Sequence, residues 1–200
     1  MTKKSLFGEK FTFDKINNVY SFMNILPNPD KILRRIGKTI ETYRDLKNDA
    51  HLWSCIQSRK SGTLSLDWNI EGNTKNKDKI ENIFENFDMV QIIRDILEAP
   101  LFGYQPMEIV WDNQSGDILP AKVIAKPQEW FEFDRKGNLI FKGTNSIVDK
   151  YKILDVRYES SYLNPYGISL LSKCYWSITF KNGGLRFWVN FAEKYGMPIL

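Results

Sequence analysis

The sequence predicts an α+β fold in which helices flank an antiparallel β-sheet of hairpins. Apolar residues recur at helical spacing through the first hundred residues and again from Leu171 onward, whereas short alternating runs separated by turn residues lie between. Helices, then strands, then helices are typical of α+β domains. No linker or repeat divides the chain, so one domain is expected over residues 29–200, after an N-terminal arm at 1–28.

The first two helices are predicted from their start and stop residues. Asn28-Pro29 combines a cap residue with proline at the first helical position, and apolar residues follow at helical spacing as far as Tyr43. Asn48 or Asp49 begins the second helix, and Gly62 lies just past its end.

A short strand and two more helices are predicted next. The stretch "SLDWNIEG" (65–72) alternates as a strand does. Apolar residues at helical spacing predict a third helix near 77–87. The fourth helix begins after the cap residue Asp88, and Pro100 and Gly103 end it.

The middle of the chain predicts hairpins. "YQPMEIVWDNQSGDILPAKVIAKP" is typical of a strand, a turn at Asn113–Asp117 and a second strand. "EWFEFDRKGNLIFKG" predicts another hairpin around Arg135-Lys136-Gly137, and "KYKILDVRYES" predicts a further strand. After a turn at Asn164–Gly167, two helices are expected, separated by Asn182-Gly183-Gly184.

The composition is that of a globular protein and excludes several classes. Of 200 residues, 42% are hydrophobic, and the formal net charge is +4. No apolar run approaches the ~20 residues that span a bilayer, and the N-terminus lacks a secretory signal. Cys55 and Cys174 are the only cysteines, so free thiols are expected. The absence of a phosphate-binding loop argues against an ATP-driven motor.

Residues that could carry chemistry are few. His51 and Cys55 are one helical turn apart and could share a metal, but zinc normally takes three or four protein ligands. A small thiol beside an imidazole is the simpler interpretation. No catalytic residue, metal ligand or cofactor site is therefore predicted.

Carboxylates on the predicted strands offer a second possibility. Residues two or four apart on a strand share a face, as do Glu108 with Asp112 and Glu132 with Asp134. Acid–base hydrolysis needs two carboxylates in different environments within a cleft. Nothing in the sequence singles out one pair, and a solvated sheet face explains them better.

Four cations lie on one side of the predicted first helix. Lys31, Arg34, Arg35 and Lys38 could lie along phosphates, or they could form the solvated face of an amphipathic helix. They are the candidate nucleic-acid contacts.

Large aromatic residues are concentrated near the C-terminus. Their helical spacing favours a core or a subunit interface over base stacking. The candidate interface residues are Trp176, Phe180, Phe187, Trp188 and Phe191.

Several longer motifs together resemble the portal proteins of Mu-like phages and prophages. The resemblance runs in order from about Pro29 onward. Its motifs are "DAHLWSCIQSRKSGTLSLDW", "ILEAPLFGYQPMEIVW", "KPQEWFEFD", "NPYGISLLSKCYW" and "FKNGGLRFWVNFAEKYGMP".

The resemblance implies a structural subunit without catalysis. Portal subunits form a ring, usually of twelve, at a capsid vertex, and double-stranded DNA is packaged and ejected through it. The expected partners are further copies of the chain, the terminase, capsid or scaffold proteins and DNA, with no membrane. The expected location is the virion, and the host cytoplasm during assembly. The resemblance also implies that this is the wing-like N-terminal part of a longer subunit.

Other function classes remain open at the level of the sequence. The main alternative is a sequence-nonspecific nucleic-acid-binding module that uses the four cations of the first helix. A hydrolase built on the sheet carboxylates and a metal site at His51 and Cys55 are further alternatives.

Overall fold

A computed structural model describes residues 25–72, 74–114, 117–144 and 146–196. The helices within these residues are α1 (Lys31–Ile36), α2 (Thr42–Leu46), α3 (Ala50–Leu64), α4 (Thr74–Glu85), α5 (Met89–Ile96), α6 (Ala99–Phe102) and α7 (Leu170–Tyr195). The strands are β1 (Ile25–Leu26), β2 (Tyr104–Gln114), β3 (Asp117–Ala125), β4 (Phe131–Asp134), β5 (Leu139–Phe141), β6 (Ser146–Ile147) and β7 (Ile153–Arg157). This order confirms the α+β class. Most of the N-terminal arm predicted at 1–28 lies outside the described residues.

The strands form two antiparallel sheets. One has the order β1-β4-β5-β6 and the other the order β3-β2-β7. β2 is the central strand of the second sheet, where Glu108 lies opposite Ile124 on β3 and Ile153 on β7. The two strands predicted on either side of Asn113–Asp117 pair as β2 and β3, although residues 115–116 of the predicted turn lie outside the described residues. The hairpin predicted around Arg135-Lys136-Gly137 and the strand within "KYKILDVRYES" are confirmed.

The first predicted helix differs from the structure at both ends. Asp30, not Asn28, is the N-cap residue, because its side-chain oxygen accepts from the backbone N–H of Ile32 (2.8 Å) and Leu33. Gly37 then ends α1 with a φ of 63°, a left-handed conformation that residues with a Cβ rarely adopt. Leu33 and Ile36 therefore lie in α1 and Tyr43 in α2, whereas Ile40 lies between the two short helices.

The second and fourth helices begin where predicted, but the predicted ends of both are wrong. The fourth, α5, ends at Ile96, and Pro100 lies in the separate short helix α6, which Gly103 ends. Asp49 and Asp88 cap α3 and α5 through bonds of 3.0 Å to the backbone N–H three residues later. α3 continues through Gly62 to Leu64, since glycine in right-handed helical conformation costs only about 1 kcal/mol relative to alanine. Residues 65–72 form no strand, because none of the strands that the structure describes pairs with them.

The two helices predicted at the C-terminal end are one helix. α7 runs unbroken through Asn182-Gly183-Gly184. Ser169 fixes its beginning: the hydroxyl oxygen accepts from the backbone N–H of Ser172 (3.1 Å) and donates to the carbonyl oxygen of Leu101 (2.6 Å). The start of α7 is thus tied to α6.

A close crossing of two backbone segments precedes α7. A Cβ on Gly167, whose φ is +70°, would lie 2.3 Å from the carbonyl oxygens of both Gly103 and Tyr158. Only glycine allows this approach, so the direction in which the chain enters α7 depends on it.

Three buried aromatic rings connect the two sheets. Tyr104 of β2, Phe133 of β4 and Tyr166 meet edge to face, with ring centroids 4.7–5.6 Å apart. The Tyr166 hydroxyl donates to the carbonyl oxygen of Leu26 (2.7 Å) and accepts from the backbone N–H of Phe133 (3.2 Å). The ring therefore also holds β1 against β4. Burial raises the pKa of Tyr166, as expected for a phenol that stays neutral there.

A half-buried ion cluster joins α3 to the end of α5. The Glu98 carboxylate is paired with Lys60 and with Lys47, whose ammonium lies 2.9 Å away. Lys60 is buried and also donates to the carbonyl oxygen of Arg94 (3.2 Å). Burial acts to raise the pKa of Glu98, but hydrogen bonds from the two lysines outweigh it and hold the pKa below its ordinary value.

We expect Tyr166→Phe to lower the free energy of unfolding by about 1–3 kcal/mol. The substitution keeps the ring but removes the partner of two backbone groups. Thermal unfolding followed by circular dichroism measures the change. Tyr162→Phe is the matched control, because Tyr162 is 63% exposed and should change stability little. Equal stability of the two variants would contradict this role of Tyr166.

We also expect Glu98 to contribute stability that is lost in acid. Its folded pKa is lower than the ordinary value of 4.5, so the contribution is complete above that value and disappears as the pH falls through the folded pKa. Glu98→Gln should therefore weaken the decrease of the unfolding free energy as the pH falls below 4.5. Urea unfolding at several pH values measures this slope, and the exposed Glu71→Gln should leave it unchanged.

Candidate functional site

His51 and Cys55 lie on the exposed side of α3. The His51 Nε2 atom and the Cys55 Sγ atom are 3.9 Å apart. Within the part of the chain that the structure describes, no group of three or more histidine, cysteine or acidic side chains could hold a metal ion. The pair therefore remains two side chains at helical spacing without a further ligand among the described residues.

The carboxylates considered for hydrolysis are engaged in the sheets and turns. Glu108 lies between Lys126 (2.9 Å) and Lys152 (3.2 Å), and hydrogen bonds from these lysines lower its pKa. Glu132 pairs with Lys142 at 3.2 Å. Asp134 is buried and accepts two hydrogen bonds from Asn138, which close the β4–β5 turn.

Asp112, the fourth of these carboxylates, also has a hydrogen-bond partner nearby in the chain. Asp112 accepts from the backbone N–H of Asn113 (2.8 Å) near the end of the β2–β3 hairpin. All four groups therefore have local partners, and the lysines hold the pKa of Glu108 below its ordinary value, the opposite of what a general acid needs.

The four candidate nucleic-acid contacts are exposed at α1. Lys31, Arg34 and Arg35 lie on the helix, whereas Lys38 follows its terminal glycine. Among the residues that the structure describes, none of the four has a carboxylate partner within ion-pair distance. Their charges are therefore available to an anionic partner.

The structure brings this cationic group next to the aromatic end of the molecule. The Arg35 guanidinium carbon lies 5.7 Å from the ring centroid of Trp176, and Trp176 stacks on Phe180 at 5.7 Å with an angle of 26° between the rings. Arg35 and Trp176 are far apart in sequence, so periodicity alone does not reveal this contact. Through this contact, the α1 cations lie next to Trp176 and Phe180, where the aromatic residues of α7 begin.

The C-terminal half of α7 leaves the body of the protein. Every residue from 181 to 196 is exposed. Lys181 makes the last ion pair with the body, to Asp49 of the α3 cap. At 1.5 Å per residue, the 14 residues from 182 to 195 extend about 20 Å beyond that point.

This exposed half of α7 carries an unusual amount of apolar surface. Phe180, Phe187, Trp188, Phe191 and Tyr195 fall within an arc of about 100°, since successive helical residues turn by about 100°. We call these five residues the aromatic stripe. Phe180 and Phe187 are 71% and 73% exposed, and Trp188 is 67% exposed. Tyr195 packs only within the helix, against Phe191 at 5.0 Å.

A second apolar line on the same half was not predicted. Leu185, Val189 and Ala192 follow the helical line of the buried residues Leu171 and Ile178, but they extend past the body and are exposed. The sequence signal was the continued spacing of three and four residues across the two glycines. Apolar residues therefore occupy more than half of the circumference of this segment, which is typical of helices that become buried.

The two consecutive glycines within α7 have no steric explanation in the subunit. A Cβ on Gly183 or Gly184 would have no atom within 4 Å among the described residues. Each glycine costs about 1 kcal/mol relative to alanine in an exposed helix. A close approach by something other than these residues would explain them.

No described helix is both long enough and apolar enough to span a lipid bilayer. An α+β body from which a long apolar helix projects is typical of a protein that works by association. The family model for the portal protein of Mu bacteriophage matches residues 40–200. The chain therefore belongs to the Mu bacteriophage portal protein family, and the resemblance found in the sequence is confirmed. This is a family of structural phage and prophage proteins.

A curated relative supports the same family. The Mu-like prophage FluMu protein gp29 of Haemophilus influenzae is 24% identical over 170 residues. The match covers 76% of this chain but only 32% of the relative, so the chain spans about a third of the length of that protein.

Proposed function

We propose that the chain is part of a structural subunit of a phage or prophage portal, a ring of identical copies through which double-stranded DNA is packaged and ejected. The observation that carries the proposal is the family match over residues 40–200. The exposed aromatic stripe supports it, because a large apolar surface on a folded subunit fits a protein that acts in an assembly.

A closed ring sets a physical requirement on each subunit. Every copy must offer two unlike surfaces, one to each neighbour, in a head-to-tail contact that closes. The predicted interface residues supply one such surface: Phe180, Phe187, Trp188 and Phe191 are exposed on α7, and the half-buried Trp176 links them to the body. Twelve copies are the number that the family resemblance implies.

DNA that moves through a ring needs contacts that do not depend on its base sequence. Base-specific hydrogen bonds would stall movement, whereas contacts to phosphates carry no sequence information. The unpaired cations Lys31, Arg34, Arg35 and Lys38 can provide such contacts. A net charge of only +4 suits brief contacts better than tight binding.

The remaining parts of the proposal follow from the family. The terminase hydrolyses ATP and drives packaging, so the portal subunit itself performs no catalysis. Capsid or scaffold proteins surround the ring at one vertex. The subunit is expected in the virion and, during assembly, in the host cytoplasm.

Electron microscopy of the complete gene product tests the ring. We expect rings with a central hole, and we expect the combined variant Phe187→Ser, Trp188→Ser and Phe191→Ser to form none while its circular dichroism is unchanged. The matched control replaces three exposed apolar residues elsewhere, Leu66, Ile118 and Leu163, by serine and should still form rings. A complete gene product that stays monomeric at high concentration and turns over a substrate would exclude the proposal.

The alternative, a nonspecific nucleic-acid-binding module, is favoured by one observation, four exposed cations at α1 that have no carboxylate partner among the described residues. Such a module should bind a short DNA duplex with an affinity that falls steeply with salt. Glutamine at all four positions should reduce the log–log salt slope by about 4. Fluorescence anisotropy measures the slope, and the control carries glutamine at exposed positions elsewhere, Lys122, Lys136, Lys150 and Lys194. Weak binding by the unmodified chain favours the portal over the module.

A further inference from the structure

A second apolar surface lies at the other end of α7. A groove of about 260 Å³ opens between α3, the α5–α6 segment and the first turns of α7. Its walls are mainly apolar, and they include Leu52, Ile56, Leu97, Pro100 and Leu171. A cavity of about 150 Å³ already accommodates a benzene ring, so this groove has room for a large aromatic side chain.

The rim of the groove offers a cation that could contact an aromatic side chain from another molecule. Arg59 and Cys55 lie there and are both exposed. Arg59 has no carboxylate partner within ion-pair distance among the described residues. A guanidinium without a counter-ion can stack on the face of an incoming ring, a contact worth about 0.5–1 kcal/mol at an exposed site.

The groove cannot be filled by the aromatic stripe of the same molecule. Leu171 and Cys174 line the groove, whereas Phe187 to Tyr195 lie several turns further along the same helix. From Cys174 to Phe191 the distance along a straight helix is about 25 Å. Along the continuous helix α7 the stripe and the groove are therefore well separated, and both can bind at once.

The area of the stripe matches what an interface between copies needs. Phe, Tyr and Trp side chains bury about 150–250 Å² each, so five of them that are half to three-quarters exposed present roughly 600 Å². A standard interface buries about 800 Å² per partner. The stripe alone therefore supplies about three-quarters of that area.

We propose that the aromatic stripe of one copy of this chain packs across the groove between α3, the α5–α6 segment and α7 of the next copy, with one of its large rings inside the groove. The contact is heterologous, because the two surfaces are different, and each copy can give its helix to one neighbour while accepting a helix from the other. Pairing of two stripes would instead close at a dimer and leave the groove empty. The preference for the open-ended arrangement rests on the proposed portal function.

Native Cys55 at the groove rim allows a direct test with the 200-residue chain. We expect Trp188→Cys, in a Cys174→Ser background, to form covalent dimers and higher oligomers with Cys55 of another copy on mild oxidation with copper phenanthroline. Adding Cys55→Ser should abolish them on non-reducing gels. Tyr151→Cys in the same background is the matched control, because Tyr151 and Trp188 are both 67% exposed, and it should form none.

Cross-linking that persists without Cys55 would show contact between two stripes and would overturn the proposal. So would the absence of any cross-link from both Trp188→Cys and a parallel Phe187→Cys variant. If the complete gene product forms rings but neither variant reacts with Cys55, the docking site is wrong and the portal function stands. If the variants cross-link through Cys55 but the complete gene product forms no rings, the docking site stands and the portal function is wrong.

A mixing experiment tests the stripe and the groove separately and needs no covalent cross-link. Trp188→Glu removes the stripe contact, and Thr63→Trp blocks the groove at an exposed lining residue. We expect each variant alone to be monomeric by light scattering, and an equimolar mixture to give a 1:1 dimer through its single intact contact. A mixture that remains monomeric while the unmodified chain associates would overturn the proposal.

Discussion

The packing of Tyr104, Phe133 and Tyr166 holds this fold together. Each ring comes from a different part of the chain: one from each sheet and one from the segment that leads into α7. The Tyr166 hydroxyl bridges β1 and β4, so a single side chain fixes both an aromatic contact and a strand pairing. Because the same segment continues to Ser169, the position of the rings also sets where α7 begins and in which direction it projects.

The elements that could be predicted from sequence are those with strong local signals. Asp49 and Asp88 are followed by regular apolar spacing, and each caps a helix as expected. The predictions that failed rested on weaker signals. Gly62 and Gly183 look like helix ends, but glycine ends a helix firmly only in a left-handed conformation, as Gly37 does. The alternation in residues 65–72 has no partner among the described strands, and sequence spacing does not reveal that.

The candidate surfaces were partly visible in the sequence. Helical spacing identified the aromatic residues of α7, yet the same spacing fits a buried core and an exposed interface equally well. Only the three-dimensional arrangement shows that the body ends near Lys181 and leaves them exposed. The contact of Arg35 with Trp176, and the groove between α3 and α7, depend on residues more than a hundred positions apart, so no local pattern could indicate them.

The glycines of α7 also affect how an unassembled subunit behaves. A helix of about 14 residues without tertiary contacts is marginal in water, and two adjacent glycines weaken it further. Its backbone amides should exchange with solvent faster than those of the half anchored to the body. Under the proposed docking, part of the contact free energy would go into ordering this segment, as in proteins that fold on binding.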